Sequence, residues 1–482
     1  MNKKQWQILL IFFLITLGNI ITVGKTANLL IAFPQYLVVL YLLFNKHEAL
    51  AMLLHHAFII TCVSSTNVAA LLDNPLAIYS YSRLKLVGPI GVSYVVSILI
   101  CLMSLKHYRR INRKTLFYKL FLVITILAAS GYVVGFIGLL VDPYYSFSTF
   151  TFYGVYIFIV WINMFSLLLN YNDRLVKKYY EYASLLIISG VLASFVGYAV
   201  FGIVNVYGNL EIILQSDIVY FAPVLIVGLL KSRNKIVSIV AIALYLWMSL
   251  QSINGKGLVI TVLGIFFLLL NIFFFQDKDV PKKKSFRNKM IAVALIAVGV
   301  VFGLSFDYGL MFSNKVHQLT SLFSGNMNTI DESPFIRVAT TMNIWDNYVS
   351  KPWKMIVGMG YGGYFTDSLG LFRGFDLVGG GWPEADVASG HFTYGHDTFA
   401  AVPLFNGFAG LIMLFVIVWK YIKRIKNNYF AFAAIPWLLL TFYFSTQLAI
   451  SGIFLLFASE FIDKKNPEKH EVKALPSADN SN

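Results

Sequence analysis

The stretch FYKLFLVITILAASGYVVGFIGLL, residues 117–140, decides the fold class. It carries one charged residue, Lys119, over a length that crosses the bilayer hydrocarbon when wound as a helix. The basic segment His107-Tyr108-Arg109-Arg110-Ile111-Asn112-Arg113-Lys114 precedes it, and the turn Asp142-Pro143 follows. A long apolar run closed by polar turns predicts a membrane-spanning helix. Composition agrees: the 482 residues are 58% hydrophobic and 13% charged. Soluble proteins carry roughly 25% charge.

Similar runs lie on both sides. Spans are predicted at 6–23, 28–45, 49–72, 86–105, 148–170, 181–203, 214–231, 236–251, 257–275, 290–308 and 398–419, with two short ones in 429–462. The expectation is an all-α polytopic membrane protein of about fourteen transmembrane helices. Its predicted parts are an N-terminal bundle over 1–308, a large outward loop over 309–397, C-terminal helices over 398–462 and a disordered cytoplasmic tail over 463–482.

The net charge of +15 does not imply nucleic acid, because Lys and Arg gather in short loops on alternate sides. Lys3, Lys4, Lys46, the 107–114 segment, Arg174, Lys177, Lys178, Lys282-Lys283-Lys284 and Lys464-Lys465 fall on one side. The positive-inside rule makes that side cytoplasmic and places both termini there. The opening MNKKQ and its apolar run read as a retained first helix. Cys62 and Cys101 both lie inside apolar runs, which argues against a disulfide framework.

The 309–397 loop is the long polar interruption, and connecting loops of such length are functional or disordered. Apolar positions from Phe335 to Val349 predict an amphipathic helix that carries Arg337, starts near Pro334 and stops at Lys351-Pro352. Gly358, Gly360, Gly362 and Gly363 predict either a structural turn or backbone that faces a ligand. They form no P-loop, since no Lys-Ser/Thr follows. Residues 370–395 read as a mobile polar flap bearing Arg373 and Trp382. Trp382 is a candidate for stacking on a sugar ring and equally for anchoring at the interface.

His396 precedes the apolar run at 398–419 and is suited to accepting a proton from a hydroxyl. Asp397 is either its partner or the helix N-cap. His391 and His396 lack convincing metal spacing, so no metal site is predicted.

The order Arg337…Trp345…Lys351-Pro352…Gly358-Met359-Gly360-Tyr361-Gly362…His396-Asp397, followed by Gly407 and Gly410, resembles the O-antigen ligase/polymerase family of bacterial membrane glycan polymerases. The resemblance is clearest over 236–420. The family commonly has His-Asn where this chain has His396-Asp397, and Ser-Arg-Gly where it has Gly255-Lys256-Gly257. Lysine keeps the charge of that arginine but not its bidentate fork.

The resemblance implies a GT-C type glycosyltransferase of the bacterial cytoplasmic membrane, acting at the outer face without metal or cofactor. Its donor would be an undecaprenyl-diphosphate-linked glycan, and its acceptor a sugar hydroxyl on another lipid-linked repeat unit. Arg337 and Lys256 would bind the leaving diphosphate, His396 would act on the attacking hydroxyl, and Asp397 would orient His396. Arg373, Arg83, Lys85, Trp382 and Tyr361 are further contacts for diphosphate or glycan. Membrane lipids, a flippase and a chain-length regulator are the partner candidates. A ligase that delivers the glycan to a lipid or protein acceptor shares the donor chemistry. A lipid-linked glycan flippase is the non-enzymatic alternative.

Overall fold

The computed structural model describes residues 1–63, 79–87, 90–203, 217–230, 235–251, 255–274, 332–378, 382–395 and 397–465. Helix α1 (Lys3–Ile21) opens with a reciprocal cap. The Asn2 side chain accepts from the Gln5 N–H at 2.9 Å, and Gln5 Oε1 accepts from the Asn2 N–H at 3.0 Å. Helices α2 (Leu29–Phe44) and α3 (Glu48–Ile60) follow. A short antiparallel hairpin, β1 (Lys85–Val87) with β2 (Ile90–Gly91), leads into α4 (Val92–Ser104).

Side-chain caps start the next three helices. Thr115 caps α5 (Leu116–Val141), Ser146 caps α6 (Phe147–Leu169) and Asn172 caps α7 (Asp173–Ala199), each accepting a backbone N–H three residues on. Then come α8 (Pro223–Gly228), α9 (Lys235–Gln251) and α10 (Gly255–Phe273). The polar region contributes α11 (Glu332–Val349), α12 (Pro352–Val357) and α13 (Glu384–Ser389). The chain closes with α14 (Thr398–Ile422), a π-helical turn at Ile435–Leu440, and α15 (Thr446–Lys465).

Helix α7 packs along α1 and α15, α6 packs on α5 and α4, and α14 packs on α5 and α12. The outer helices expose apolar side chains, such as Leu30 and Phe33 on α2 and Phe136 and Leu140 on α5. Lipid, rather than water, is the solvent that such faces suit. The architecture is consistent with a multipass membrane protein.

The expected fourteen-helix, GT-C type architecture is corrected. Among the described residues, seven helices are long and apolar enough to cross a membrane. They match the expected spans at 6–23, 28–45, 117–140, 148–170, 181–203, 257–275 and 398–419, the fifth starting earlier, at Asp173. The other runs divide differently. The start of the 86–105 run pairs as the β-hairpin, so α4 begins at Val92. The 214–231 run forms a 3-10 turn and then the short α8, with Pro223 at the junction. The 429–462 run breaks at Thr441–Ser445, close to the expected turn near Ser445-Thr446-Gln447, but its first part is a 3-10 and a π-helical turn rather than a span. The 290–308 run lies outside the described residues.

The physical reason is that a run becomes apolar through burial in protein as readily as through contact with lipid. Phe454, Leu455, Leu456 and Phe457 in α15, and Trp437 before it, are fully enclosed by other helices. Their hydropathy reports a protein core and sets no membrane-crossing length.

A polar chain runs through the apolar bundle. His55 reaches the Tyr81 hydroxyl at 2.7 Å and Ser97 at 2.8 Å. Asn163 Nδ2 donates to Ser97 at 3.2 Å, and its Oδ1 accepts from His56 Nε2 at 2.9 Å. The Tyr179 hydroxyl then donates to His56 Nδ1 at 2.9 Å. The Asn163 oxygen requires the proton of neutral His56 to be on Nε2, which leaves Nδ1 to accept.

Candidate functional site

The glycine motif positions the site. Gly358, Gly360 and Gly362 have φ of 83°, 75° and 79°, a region that L side chains rarely adopt. They form a strap between α5, the start of α6 and a break in α14. That break is Gly407, at φ 64° and ψ −170°. It frees carbonyls in a buried setting, and the strap supplies their donors. The Met359 N–H donates to Leu404 O at 2.7 Å and the Gly360 N–H to Phe405 O at 3.1 Å. On the α5 side the Tyr361 N–H donates to Gly131 O at 2.9 Å, and Gly362 O accepts from the Ser146 N–H at 2.9 Å. A Cβ at Gly360 would lie 2.0 Å from the Gly135 nitrogen. The glycines therefore serve close backbone packing rather than a ligand.

Helix α11 lies against α12 and α14. Its buried face carries Ile336, Thr340, Asn343, Ile344 and Tyr348. The Tyr348 hydroxyl donates to Pro403 O at 2.6 Å, and Trp345 stacks on Phe408 with centroids 3.7 Å apart. As the spacing predicted, the helix ends at Val349, and Pro352 begins the next one. Arg337 is half-buried on its first half.

Lys256 is on the first turn of α10, with Nζ 4.6 Å from the centroid of the Phe444 ring. It lines a cavity of about 10 Å³ together with Tyr394, Gly395, Asp397, Thr441 and Tyr443. That is about the space that one water needs. The Arg337 guanidinium and the Asp397 carboxylate both act electrostatically on Lys256. Lys256 and Asp397 thus share one cavity wall, and the charge of Arg337, on α11, reaches Lys256 from outside that wall. Asp397 also caps α14, its Oδ1 accepting from the Ala400 N–H at 3.0 Å. His396 lies outside the described residues.

The turn 441–447 organises this place, and sequence reasoning read it only as a link between short spans. The Phe442 N–H donates to Thr398 Oγ1 at 3.0 Å, and the Tyr443 hydroxyl donates to Asn406 Oδ1 at 2.7 Å. On its other flank Ser445 donates to the Asp217 carboxylate, and the Gln447 amide donates to Ser82 at 2.9 Å. Arg83 follows Ser82. Burial pulls its guanidinium below the ordinary arginine value, and the Asp217 carboxylate pushes the other way. The signal available in the sequence was the polar cluster Ser445-Thr446-Gln447 inside an apolar run.

Other expected contacts are placed elsewhere. Lys85 is exposed on the hairpin, and Arg373 is exposed on a turn after Gly370. Tyr361 is 0% exposed and packs against Gly131, Phe405 and Tyr443, so it offers no face to a glycan. Trp382 is 2% exposed among Phe365, Phe372 and Phe392. Both readings of Trp382, sugar platform and interface anchor, give way to core packing. Of the flap expected over 370–395, the described residues 370–378 and 382–395 contribute Phe372 and Phe392 to the packing around that tryptophan. The segment before it is tied to α11, where Asn343 Nδ2 donates to Asp367 Oδ1 at 2.8 Å and the Thr366 N–H donates to Asn347 Oδ1 at 3.1 Å, and Asp367 in turn accepts from the Leu371 and Phe372 N–H groups at 2.8 and 3.0 Å. At its rim, burial and a hydrogen bond to Asp142 push the Tyr364 phenol up to about 12.

Comparisons against family models, curated proteins and solved structures find no match to this chain.

Proposed function

We propose that this protein is a polysaccharide polymerase. It transfers an undecaprenyl-diphosphate-linked glycan onto a sugar hydroxyl of another lipid-linked repeat unit. The observation that supports this reading is that Lys256 and Asp397 share one cavity wall, with the charge of Arg337 within electrostatic reach of Lys256. Two like charges within electrostatic reach of each other repel, and a diphosphate that contacts both converts repulsion into attraction. The family resemblance independently marks both residues.

In the reaction the acceptor oxygen bonds to the anomeric carbon of the donor, and the bond from that carbon to the diphosphate oxygen breaks. Lipid diphosphate leaves with the electron pair. Lys256 and Arg337 stabilise the negative charge that builds on it. His396 takes the hydroxyl proton, and the neighbouring Asp397 favours the imidazolium. In this reading the site faces the outer side of the bacterial cytoplasmic membrane, as the resemblance implies, and the gathering of Lys and Arg in short loops supports cytoplasmic termini.

The acceptor separates a polymerase from a ligase. Purified protein is given one labelled lipid-linked donor, with either a second lipid-linked repeat unit or a completed lipid acceptor. Elongation of the repeat unit is expected. Transfer to the completed acceptor alone would replace this reading with a ligase.

A further inference from the structure

A second basic concavity lies away from this site. A cavity of about 480 Å³ lies where α3 and α7 begin and α4 and α6 end. Helix α6 is 23 residues long, so its two ends are about 35 Å apart. Its other end meets the glycine strap, through the Ser146 N–H on Gly362 O at 2.9 Å. The cavity and the strap are therefore at opposite ends of the bundle.

Four permanent cations line this cavity, Lys46, Lys106, Arg174 and Lys178, together with His47 and His107. The carboxylate on its wall, Glu48, is engaged by Lys106. The wall is fixed before any ligand arrives. Asn170 Nδ2 donates to Ser104 at 2.7 Å and joins the ends of α6 and α4. Asn172 Nδ2 donates to Asn170 O at 2.9 Å while its Oδ1 caps α7 through the Leu175 N–H at 2.9 Å. The Glu48–Lys106 ion pair holds the start of α3 to the segment after α4. Lys46 has φ 62°, the left-handed region, and is the non-glycine residue with positive φ among the described residues. The backbone there is held by the Lys46 N–H on Leu43 O at 3.0 Å and the His47 N–H on Leu42 O at 2.9 Å.

The four cationic side chains are exposed on this fixed wall, and like charges around one concavity repel until an anion enters it. The volume lies within the range of small-ligand sites. We propose that this cavity binds a phosphate-bearing anion, with Arg174 and Lys178 as the principal phosphate contacts. An anionic lipid headgroup and a soluble phosphate or diphosphate share that chemistry. The proposal stands apart from the polymerase reading and uses none of its residues.

The test uses the full chain purified in neutral detergent. One arm adds phosphatidylglycerol, with phosphatidylcholine as the uncharged comparison, and reads retention by native mass spectrometry. The other adds inorganic pyrophosphate and reads binding by calorimetry. Saturable binding of at least one anion is expected, weakened roughly thirtyfold in the Arg174→Gln/Lys178→Gln variant by loss of two phosphate-paired cations. Lys3→Gln/Lys4→Gln removes two exposed lysines at the start of α1, outside the cavity, and should leave binding unchanged. Binding of phosphatidylglycerol alone identifies the headgroup as the source, and binding of pyrophosphate alone identifies a soluble anion. Wild-type protein that binds neither overturns the proposal, as does equal weakening in the two variants. Should Arg174→Gln/Lys178→Gln fail to fold, Lys46→Gln carries the same comparison.

Discussion

Asp397 is at once a helix cap and a charge on the cavity wall that it shares with Lys256. Asp397 caps α14, and its carboxylate favours the charged form of Lys256. Asparagine caps as well as aspartate, so Asp397→Asn should keep the wild-type melting temperature while it removes the carboxylate. Asp397→Ala should lose about 1 kcal/mol in thermal unfolding. If the two substitutions destabilise equally, the cap is not what Asp397 supplies. Lys256→Ala should lower turnover about 100-fold, the usual loss for one preorganised electrostatic donor. The comparison is made at matched protein yield. The sequence made Asp397 legible as a cap because an aspartate before an apolar run has a local meaning. Tyr361 and Trp382 were not legible, since an aromatic ring in a polar loop reads alike whether it meets a sugar, a headgroup or a core. Only their neighbours from α5 and the 365–392 segment decide.

At the scale of elements, the strap and the α14 break form one unit. The glycine spacing announced a special backbone but not its partner, because the carbonyls it satisfies are freed by Gly407, far along the chain. Gly360→Ala drives a Cβ into the α5 backbone and should abolish the folded protein, a loss on the order of 4 kcal/mol or more. Gly374 also has positive φ, at 86°, but a Cβ there meets nothing within 4 Å. Gly374→Ala should therefore cost only about 1 kcal/mol. Detergent-extracted yield and thermal unfolding distinguish the two. Helix α11 was readable to its last residue because its apolar spacing and Lys351-Pro352 are local signals.

Across the whole molecule, hydropathy identified an apolar helical protein but not which runs meet lipid. The α15 helix and the Pro436 turn are apolar because other helices enclose them, whereas α2 and α5 are apolar and exposed. Linear sequence does not separate those cases, and the count of about fourteen spans followed from treating them alike. The polar chain through the bundle was equally hidden, since His55, His56, Asn163 and Tyr179 come from three separate helices. His56→Leu leaves Asn163 and Tyr179 without their shared partner in an apolar interior and should destabilise the protein by about 2 kcal/mol or more. Wild-type unfolding in that variant would show that the network contributes nothing. The central claim is that Arg337 and Lys256 serve one departing diphosphate, and its direct measurement is glycan elongation. Purified protein is incubated with a defined undecaprenyl-diphosphate oligosaccharide, and chain length is read with the released lipid diphosphate. The account predicts one lipid diphosphate released per linkage formed, and Arg337→Ala slower by about 100-fold. No elongation by folded wild-type protein, or elongation by Arg337→Ala at the wild-type rate, would contradict it.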